Sequence, residues 1–301
     1  MKEIYFAGGC FWGVEHFFKG VDGVQEATPG YANGHTESPS YEEVYTDTTG
    51  FAETVRVRYN PARVSLDFLC RLFFTVTDPL TLNRQGHDEG TRYRSGVFYT
   101  APEDRPVLEK VFGEVQEKLG VPLVTELDAL RNFYPAEEYH RDYLDKNPGG
   151  YCHLPLKTFA YLRLYQDARL YLGGEPDPVA RMANLCALIA GKMHFFWTGF
   201  YRVCGQELVL GPFQGTPACF RIGYGKGVCG SAWKQKKTLV VPDVEEFPGH
   251  IACSSESKSE IVVPVLDKEG AVTAVLDIDS TDYAGFDSVD AAWLEMLARL
   301  V

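Results

Sequence analysis

Cysteine is the residue type in this 301-residue chain that most directly offers chemistry: eight occur, at positions 10, 70, 152, 186, 204, 219, 229 and 253. No two form a C-x-x-C pair, which argues against zinc ribbons and thioredoxin-type motifs. A chain of this length can stabilise itself by burial, which argues against a secreted disulfide scaffold. Most of the eight are therefore expected to be small core hydrophobes. Cys10 differs. It follows a strand-like run and Gly8-Gly9 and stands where a helix begins, where unpaired backbone N–H groups and the positive end of the dipole favour thiolate over thiol. Phe11 and Trp12 directly after it offer an aromatic wall for an apolar substrate group. In Pro148-Gly149-Gly150-Tyr151-Cys152 a second thiol lies on a glycine-rich loop.

The elements that must position these thiols fall into two sets. Lys2 to Ala7 reads as a strand and Cys10 to Lys19 as a helix ended by Gly20. Ser65 caps an apolar helix running through Leu66, Leu69, Leu72, Phe73 and Val76. Val107, Val111, Val115 and Leu119, four apart, mark another helix, with Gly120 past its end. Glu53 to Tyr59 and Ser95 to Thr100 fit strands, and Pro135 to Lys146 places Tyr139 and Tyr143 on one face before a loop signal at Asn147 to Gly150. After a bridging stretch, Asp177 as cap and Pro178 at the first helical position open a helix burying Met182, Leu185, Leu188 and Ile189. Strands fit Phe195–Val203, Leu208–Leu210, Leu239–Val241, Ile261–Leu266 and Ala271–Ile278, with helices over Val228–Lys236 and Ser288–Leu300. Both halves are α+β: a two-layer mixed domain over 1–157, a linker over 158–176, and a domain over 177–301 with a central antiparallel sheet flanked by helices.

Composition excludes several function classes. Apolar residues make up 45% and charged residues 23%, ordinary globular usage rather than that of a disordered chain. Lys and Arg number 29 against 41 Asp and Glu, a net charge of -12, and such acidity argues against nucleic acid as a partner. No apolar run approaches the roughly 20 residues of a membrane span. The N-terminal apolar stretch meets Glu15 with no cleavage region, so a cytoplasmic protein is expected.

Gly8-Gly9-Cys10-Phe11-Trp12-Gly13 resembles the signature of the peptide methionine-S-sulfoxide reductase A family. The likeness extends to Tyr41, Thr49-Gly50-Phe51-Ala52-Glu53, Asp78-Pro79, Asp88-Glu89-Gly90-Thr91-Arg92-Tyr93-Arg94-Ser95 and Tyr134-Pro135-Ala136-Glu137-Glu138-Tyr139-His140. It implies Cys10 as nucleophile, Glu53 as the acid, Tyr41 and Tyr93 as hydroxyls holding the sulfoxide oxygen, Asp88 as a further polar group, Phe11 and Trp12 as the substrate's aromatic wall, and Cys152 as the resolving thiol. A sulfoxide is a poor electrophile until its oxygen gains a proton, so a neutral carboxylic acid must stand beside the thiol. Burial of Glu53 against Phe11 and Trp12 would raise its pKa enough to supply one. Thr77, where histidine commonly precedes Asp-Pro, and Asn33, where glycine is usual, depart from the family pattern without touching proton or sulfur.

The second half carries Gly211-Pro212-Phe213-Gln214-Gly215, Cys219, Gly227-Val228-Cys229-Gly230, Phe247 to Cys253, Ser259 to Pro264 and Leu276 to Ser280, and resembles the free methionine-R-sulfoxide reductase family, which uses a GAF fold. By position the resemblance implies Cys253 as nucleophile, Cys219 as resolving thiol, Cys229 as auxiliary thiol, Glu260, Asp277 and Asp279 as pocket carboxylates, and Trp197 as aromatic wall. Clustered acids suit the ammonium of a free amino acid, which a peptide-bound methionine lacks, and they raise one another's pKa. His250 is read as a loop residue, Cys70 and Cys186 as core, and Cys204 as structural or exposed.

The resemblances imply a bifunctional reductase: S-epimer sulfoxide, free or in oxidised proteins, at the first site, and the free R epimer at the second. Both would be recycled by thioredoxin or a similar dithiol, without metal or bound cofactor. The competing readings are an S-epimer reductase regulated by a ligand-sensing GAF domain, and a thiol peroxidase.

Overall fold

A computed structural model describes residues 1–251 and 254–301 and divides into two compact units, 1–159 and 160–301. In the first unit the chain runs β1 (Lys2–Gly8), α1 (Phe11–Lys19), β2 (Val24–Ala32), α2 (Tyr41–Tyr45), β3 (Ala52–Tyr59) and α3 (Leu66–Phe73). Then follow a two-residue ladder of β4 (Arg84–Gln85) and β5 (Asp88–Glu89), β6 (Ser95–Tyr99), α4 (Arg105–Leu119), β7 (Glu126–Ala129), β8 (Phe133–Pro135) and α5 (Tyr143–Lys146). Six strands form one sheet in the order β7-β6-β1-β3-β2-β8, antiparallel except for β6 and β7. β1 lies inside the sheet and is buried from Ile4 to Gly8, so both faces are covered there. On one face Phe6 stacks with Phe18 of α1 at 4.6 Å and Phe73 of α3 at 5.1 Å between ring centroids; on the other Tyr5, Ala7 and Phe98 pack with Phe133. Ser65 accepts the Phe68 N–H and caps α3.

Sequence periodicity misplaced some of this. The helix Arg105–Leu119 buries Leu108 and Val111, while Val107 and Leu119 at the ends of the valine stripe are exposed. The run from Pro135 to Lys146 is broken: Asp142 sits at φ 54°, held by both carboxylate oxygens of Glu15 accepting its N–H at 3.0 and 3.1 Å, so the helix begins only at Tyr143. β2 carries Pro29 and Gly30 and lacks the usual strand signal. Its outer neighbour β8 pairs only from Gly30 onward, so Pro29 lies where a missing N–H costs no ladder bond.

The stretch 158–176, expected to be a linker, lies largely in α6 (Leu156–Leu172). The reason is helical spacing: Tyr161, Leu164, Tyr165, Ala168 and Leu172 are buried along one face. Tyr161 stacks on Trp293 and donates to Asp290 Oδ1 at 2.9 Å. This side of the second unit continues with α7 (Pro178–Met193), capped by Asp177 through the Val179 and Ala180 N–H groups. Then come β9 (Trp197–Cys204), β10 (Glu207–Gln214), β11 (Arg221–Gly223), α8 (Gly227–Gln235), β12 (Leu239–Val241), β13 (Ser259–Leu266), β14 (Val272–Ser280) and α9 (Ser288–Ala298). The strands form an antiparallel sheet, β11-β10-β9-β14-β13-β12. Alternation assigns the faces: Trp197, Tyr201, Val262 and Val275 point toward Val228, Cys229 and Ala232 of α8, while Phe200, Ile261, Leu276 and Ile278 point the other way and are buried. Among the described residues no helix is long and apolar enough to cross a membrane.

Candidate active sites

Cys10 occupies the N-cap of α1 and is 6% exposed. Its neighbour Phe11 donates its N–H to Oε2 of Glu53 at 3.0 Å, which fixes the carboxyl beside the start of the helix. Glu53 is the second residue of β3, opposite Tyr31 on β2, and is 2% exposed. Burial pushes its pKa up to about 8; the Phe11 N–H and the Arg92 guanidinium pull the other way and are outweighed. The acid is therefore mostly neutral near pH 7. Burial also pushes the Cys10 thiol well above its ordinary range, reinforced by Glu53, while the Trp12 N–H acts to lower it. The expectation of a thiolate at Cys10 is thus corrected. One helix turn supplies some stabilisation of negative charge, but loss of solvent costs the charged form more.

Three short elements bring hydroxyls and a second carboxylate to the same place. α2 starts at Tyr41, with Ser40 and Glu43 forming a reciprocal cap. Its entry is pinned by Glu137, which accepts the Tyr41 N–H at 2.8 Å and the Tyr31 hydroxyl at 2.7 Å. A 3-10 turn, Thr91–Tyr93, presents Tyr93. Both phenols feel Glu53, and burial raises them, Tyr41 to about 12, so they are hydrogen-bond donors at neutral pH. Arg92 lies 4.4 Å over the Tyr93 ring and pairs with Asp47 at 2.7 Å. The β4–β5 hairpin carries Asp88, whose Oδ1 accepts the Tyr151 hydroxyl at 2.8 Å.

Trp12 donates from Nε1 to His140 Nδ1 at 3.1 Å and stacks on Tyr143 at 3.7 Å; His140 lies 5.1 Å from the Phe11 ring and 4.5 Å from the Tyr41 ring. These aromatics wall the recess at Cys10. Cys152 comes to the same helix. Its Sγ lies 3.1 Å from where a Cβ on Gly13 would stand, and so do Nδ1 and Cε1 of His153. Gly13 is one turn beyond Cys10, and the absence of its side chain admits both residues.

In the second unit the register builds the site in rows. Glu260 on β13 pairs with Asp279 on β14, and Asp279 pairs with Trp197 on β9. Asp277, two residues back, shares the face and lies opposite Gly199. A Cβ at Gly199 would stand 2.2 Å from the Trp197 ring, so glycine there makes room for the indole. Trp197 stacks on Phe213 and donates to Thr216 O at 2.9 Å. α8 supplies Cys229, whose Sγ lies 3.8 Å from Glu260 Oε1. Glu260, Asp277, Asp279, Cys229, Trp197 and Tyr201 line one recess.

Burial raises every acid there: Glu260 well above its ordinary range with Asp277 and Asp279 adding to it, Asp277 to about 6, and Asp279 to about 8. The Cys229 thiol is driven up by burial and by both Asp277 and Glu260. Of the three, Asp277 is raised least, because hydrogen bonding with Glu260 and Cys229 favours its charged form. Among the described residues, Cys229, Glu260 and Asp277 form a group with metal-ligand geometry, their ligand atoms lying within 4.8 Å of one another. Cys219 is disulfide-bonded. Cys253, the expected nucleophile, lies outside the described residues.

Residues 2–167 match the family described as peptide methionine sulfoxide reductase. The enzyme "Peptide methionine sulfoxide reductase MsrA" of Clostridium acetobutylicum is 54% identical over 155 residues, covering 52% of this chain and 96% of that protein. The chain belongs to the peptide methionine sulfoxide reductase family. Residues 182–301 match the GAF domain family. Among solved structures, Mxr1 from Saccharomyces cerevisiae in reduced form is 44% identical, covering 52% of this chain and 91% of its own, with a TM-score of 0.49. Free methionine-R-sulfoxide reductase from Neisseria meningitidis in complex with its substrate is 47% identical, covering 46% of this chain and 84% of its own, with a TM-score of 0.45.

Within the family's unit the fold gathers Cys10, Phe11, Trp12, Tyr41, Glu53, Asp88, Tyr93 and Cys152 around the start of α1. Reading residue types one at a time missed the supports. Glu137 and His140 went unassigned within their motif, and His153 went unremarked although it directly follows Cys152. Cys70 and Cys186 are buried and Cys204 is exposed.

Proposed function

We propose that the chain is a bifunctional methionine sulfoxide reductase. The first unit reduces the S-sulfoxide of free and peptide-bound methionine, and the second reduces free methionine-R-sulfoxide. The observation that carries the reading is a carboxyl held neutral by burial, Glu53, fixed to the residue next to a buried thiol.

In the first unit Tyr41 and Tyr93 donate to the sulfoxide oxygen and the Phe11–Trp12 wall takes the S-methyl group. Glu53 gives its proton to that oxygen and, as a carboxylate, accepts the proton of Cys10. The sulfur–oxygen bond of the substrate breaks as oxygen passes to the Cys10 sulfur. Methionine leaves reduced by two electrons, and Cys10, oxidised by two, becomes a sulfenic acid. Cys152 then condenses with it, releasing water and leaving a Cys10–Cys152 disulfide, which thioredoxin or a similar dithiol reduces. A mostly neutral Glu53 and a neutral Cys10 are the protonation states this cycle starts from, so the raised thiol pKa supports the reading.

In the second unit Cys253 is the proposed nucleophile, Cys219 the resolving thiol and Cys229 the auxiliary one. Asp277 pairs with the ammonium of the free amino acid, neutral Glu260 protonates the sulfoxide oxygen, and Trp197 walls the methyl group. Resolved epimers with a dithiol reductant test the assignment. Cys10→Ser should abolish S-epimer turnover alone and Cys253→Ser R-epimer turnover alone. If Cys10→Ser abolishes both and Cys253→Ser changes neither, the second site does no chemistry and a ligand-sensing role replaces it.

A further inference from the structure

His153 is nearly enclosed, with Nε2 3.1 Å from the carbonyl oxygen of Gly8. A carbonyl only accepts, so Nε2 must carry the proton and Nδ1 must hold a free lone pair. That Nδ1 is buried and has no hydrogen-bond partner among the described residues. A buried acceptor left unpaired is costly and calls for a reason. The reason lies beside it: Nδ1 and the Cys152 Sγ stand at the same 3.1 Å from the point where a Gly13 Cβ would be, so at most twice that distance separates them, a span one water bridges. We infer that His153 is the general base that takes the Cys152 thiol proton in the step closing the Cys10–Cys152 disulfide. The inference rests on the roles proposed above for those two cysteines.

The step balances without another reactant. Nδ1 takes the proton from Cys152, the thiolate sulfur attacks the sulfenic sulfur of Cys10, the new S–S bond forms as the S–O bond breaks, and the proton passes from the imidazolium to the departing hydroxide, giving water. The sulfenic sulfur of Cys10 and the thiol sulfur of Cys152 meet at the same disulfide oxidation level, one reduced and the other oxidised by one. Burial holds the imidazole below its ordinary pKa, against the carboxylate of Asp88 and the Gly8 carbonyl, so it is a neutral base at pH 7. Cys152 needs such help, because burial raises its own pKa, opposed by the Leu154 N–H. Few thiolates would otherwise be present to attack.

The test follows one turnover of the full chain with N-acetyl-methionine-S-sulfoxide and no reductant, a probe without the ammonium the second site would use. Product, disulfide and dimedone-trapped sulfenic acid are read by quenched-flow mass spectrometry. Two variants separate base from anchor. In His153→Gln the amide nitrogen can still donate to Gly8 O, but no base remains; His153→Ala loses both. Among the described residues, the titratable groups beside His153 are Asp88, whose carboxylate acts on the imidazole, and the Cys152 thiol, which meets it at Gly13. His153→Gln should release about one equivalent of product while disulfide closure slows at least tenfold at pH 7, toward the roughly 10²-fold typical of a lost general base. Cys10 sulfenic acid should then accumulate, and closure should recover about tenfold per pH unit as Cys152 ionises unaided, with wild type much flatter. Wild-type closure in His153→Gln with slow closure in His153→Ala would reduce His153 to an anchor and overturn the inference. Absence of product from His153→Gln would place it in the first step instead, which also overturns it. If wild type itself releases no product from the S epimer, the underlying roles of Cys10 and Cys152 fail, a result distinguishable from either.

Discussion

Glu53→Gln separates an acid from a hydrogen-bond acceptor of the same size. Its amide oxygen can still accept the Phe11 N–H that the carboxylate accepts at 3.0 Å, so the geometry should persist while the proton is lost. General acid catalysis of this kind contributes about 10²–10⁴ in rate, and that is the loss expected for methionine release in a single turnover at pH 6. Because Glu53 titrates at about 8, the wild-type rate should be flat below neutrality and fall toward tenfold per pH unit above about 8. The variant should lack that limb. Stability gives an independent reading with a fixed sign. The folded pKa lies above the unfolded value of 4.5, so the group's contribution is whole below the lower value and is lost as pH rises through the upper one. With about 1.4 kcal/mol per pH unit, the wild type should lose roughly 2.5 kcal/mol relative to Glu53→Gln between pH 5 and 7. Urea unfolding can be followed at Cys70, which is fully buried in the first unit, with a thiol reagent active at acid pH. A variant within tenfold of wild-type rate at pH 6, or one that keeps the limb near 8, would refute the assignment of the proton to Glu53.

Two further outcomes concern the second unit. Gly199→Ala places a methyl 2.2 Å from the Trp197 ring and 2.6 Å from Phe213 Cβ. Overpacking of this kind costs about 1–3 kcal/mol, so the second unit's melting transition should drop and KM for free methionine-R-sulfoxide should rise, while S-epimer turnover stays; unchanged melting and KM would contradict the packing. Asp279 titrates at about 8, so KM for the free R epimer should fall as pH rises from about 7 to 8.5 and a second carboxylate forms to face the ammonium. In Asp279→Asn that dependence should vanish, and its persistence would move the titration to another group.

How much of this was legible in the sequence follows from which parts are local. The β1–Gly8-Gly9–α1 corner could be read directly, because a strand, a double glycine and a helix start are neighbours along the chain, and the caps at Ser65 and Asp177 are set within three residues. The α6 helix was missed because Gly173, Gly174 and Pro176 drew attention to a break, although Tyr161, Leu164, Tyr165, Ala168 and Leu172 carry the helical spacing. The thiolate expected at Cys10 failed for a different reason. A helix terminus is visible in sequence, but the desolvation that outweighs it depends on β3, α2 and the 91–93 turn arriving from elsewhere. The supports had no sequence signal of their own: Glu137 acts on Tyr31 and Tyr41 across 106 and 96 residues, and His153 acts on Gly8 across 145.

The two sites reach a proton donor by the same physical route with different parts. In the first unit Glu53 and the Cys10 thiol are both held neutral, because burial penalises either charge and the nearby Asp88 carboxylate adds to both shifts. In the second, three carboxyls surround the Cys229 thiol, and burial first, with Asp277 and Asp279 adding to it, keeps Glu260 neutral. On the proposed reading, a neutral Glu53 asks for no charge on the substrate and so accepts methionine in a peptide as well as free. A trio that burial keeps largely protonated suits a zwitterion, because one member can charge against the ammonium while another donates to the sulfoxide oxygen. On this argument, transplanting the nucleophile alone between the units would not transfer specificity. On the proposed reading, preference for the free amino acid would follow from the acids on β13 and β14, whose strand register puts Glu260, Asp277 and Asp279 on one face.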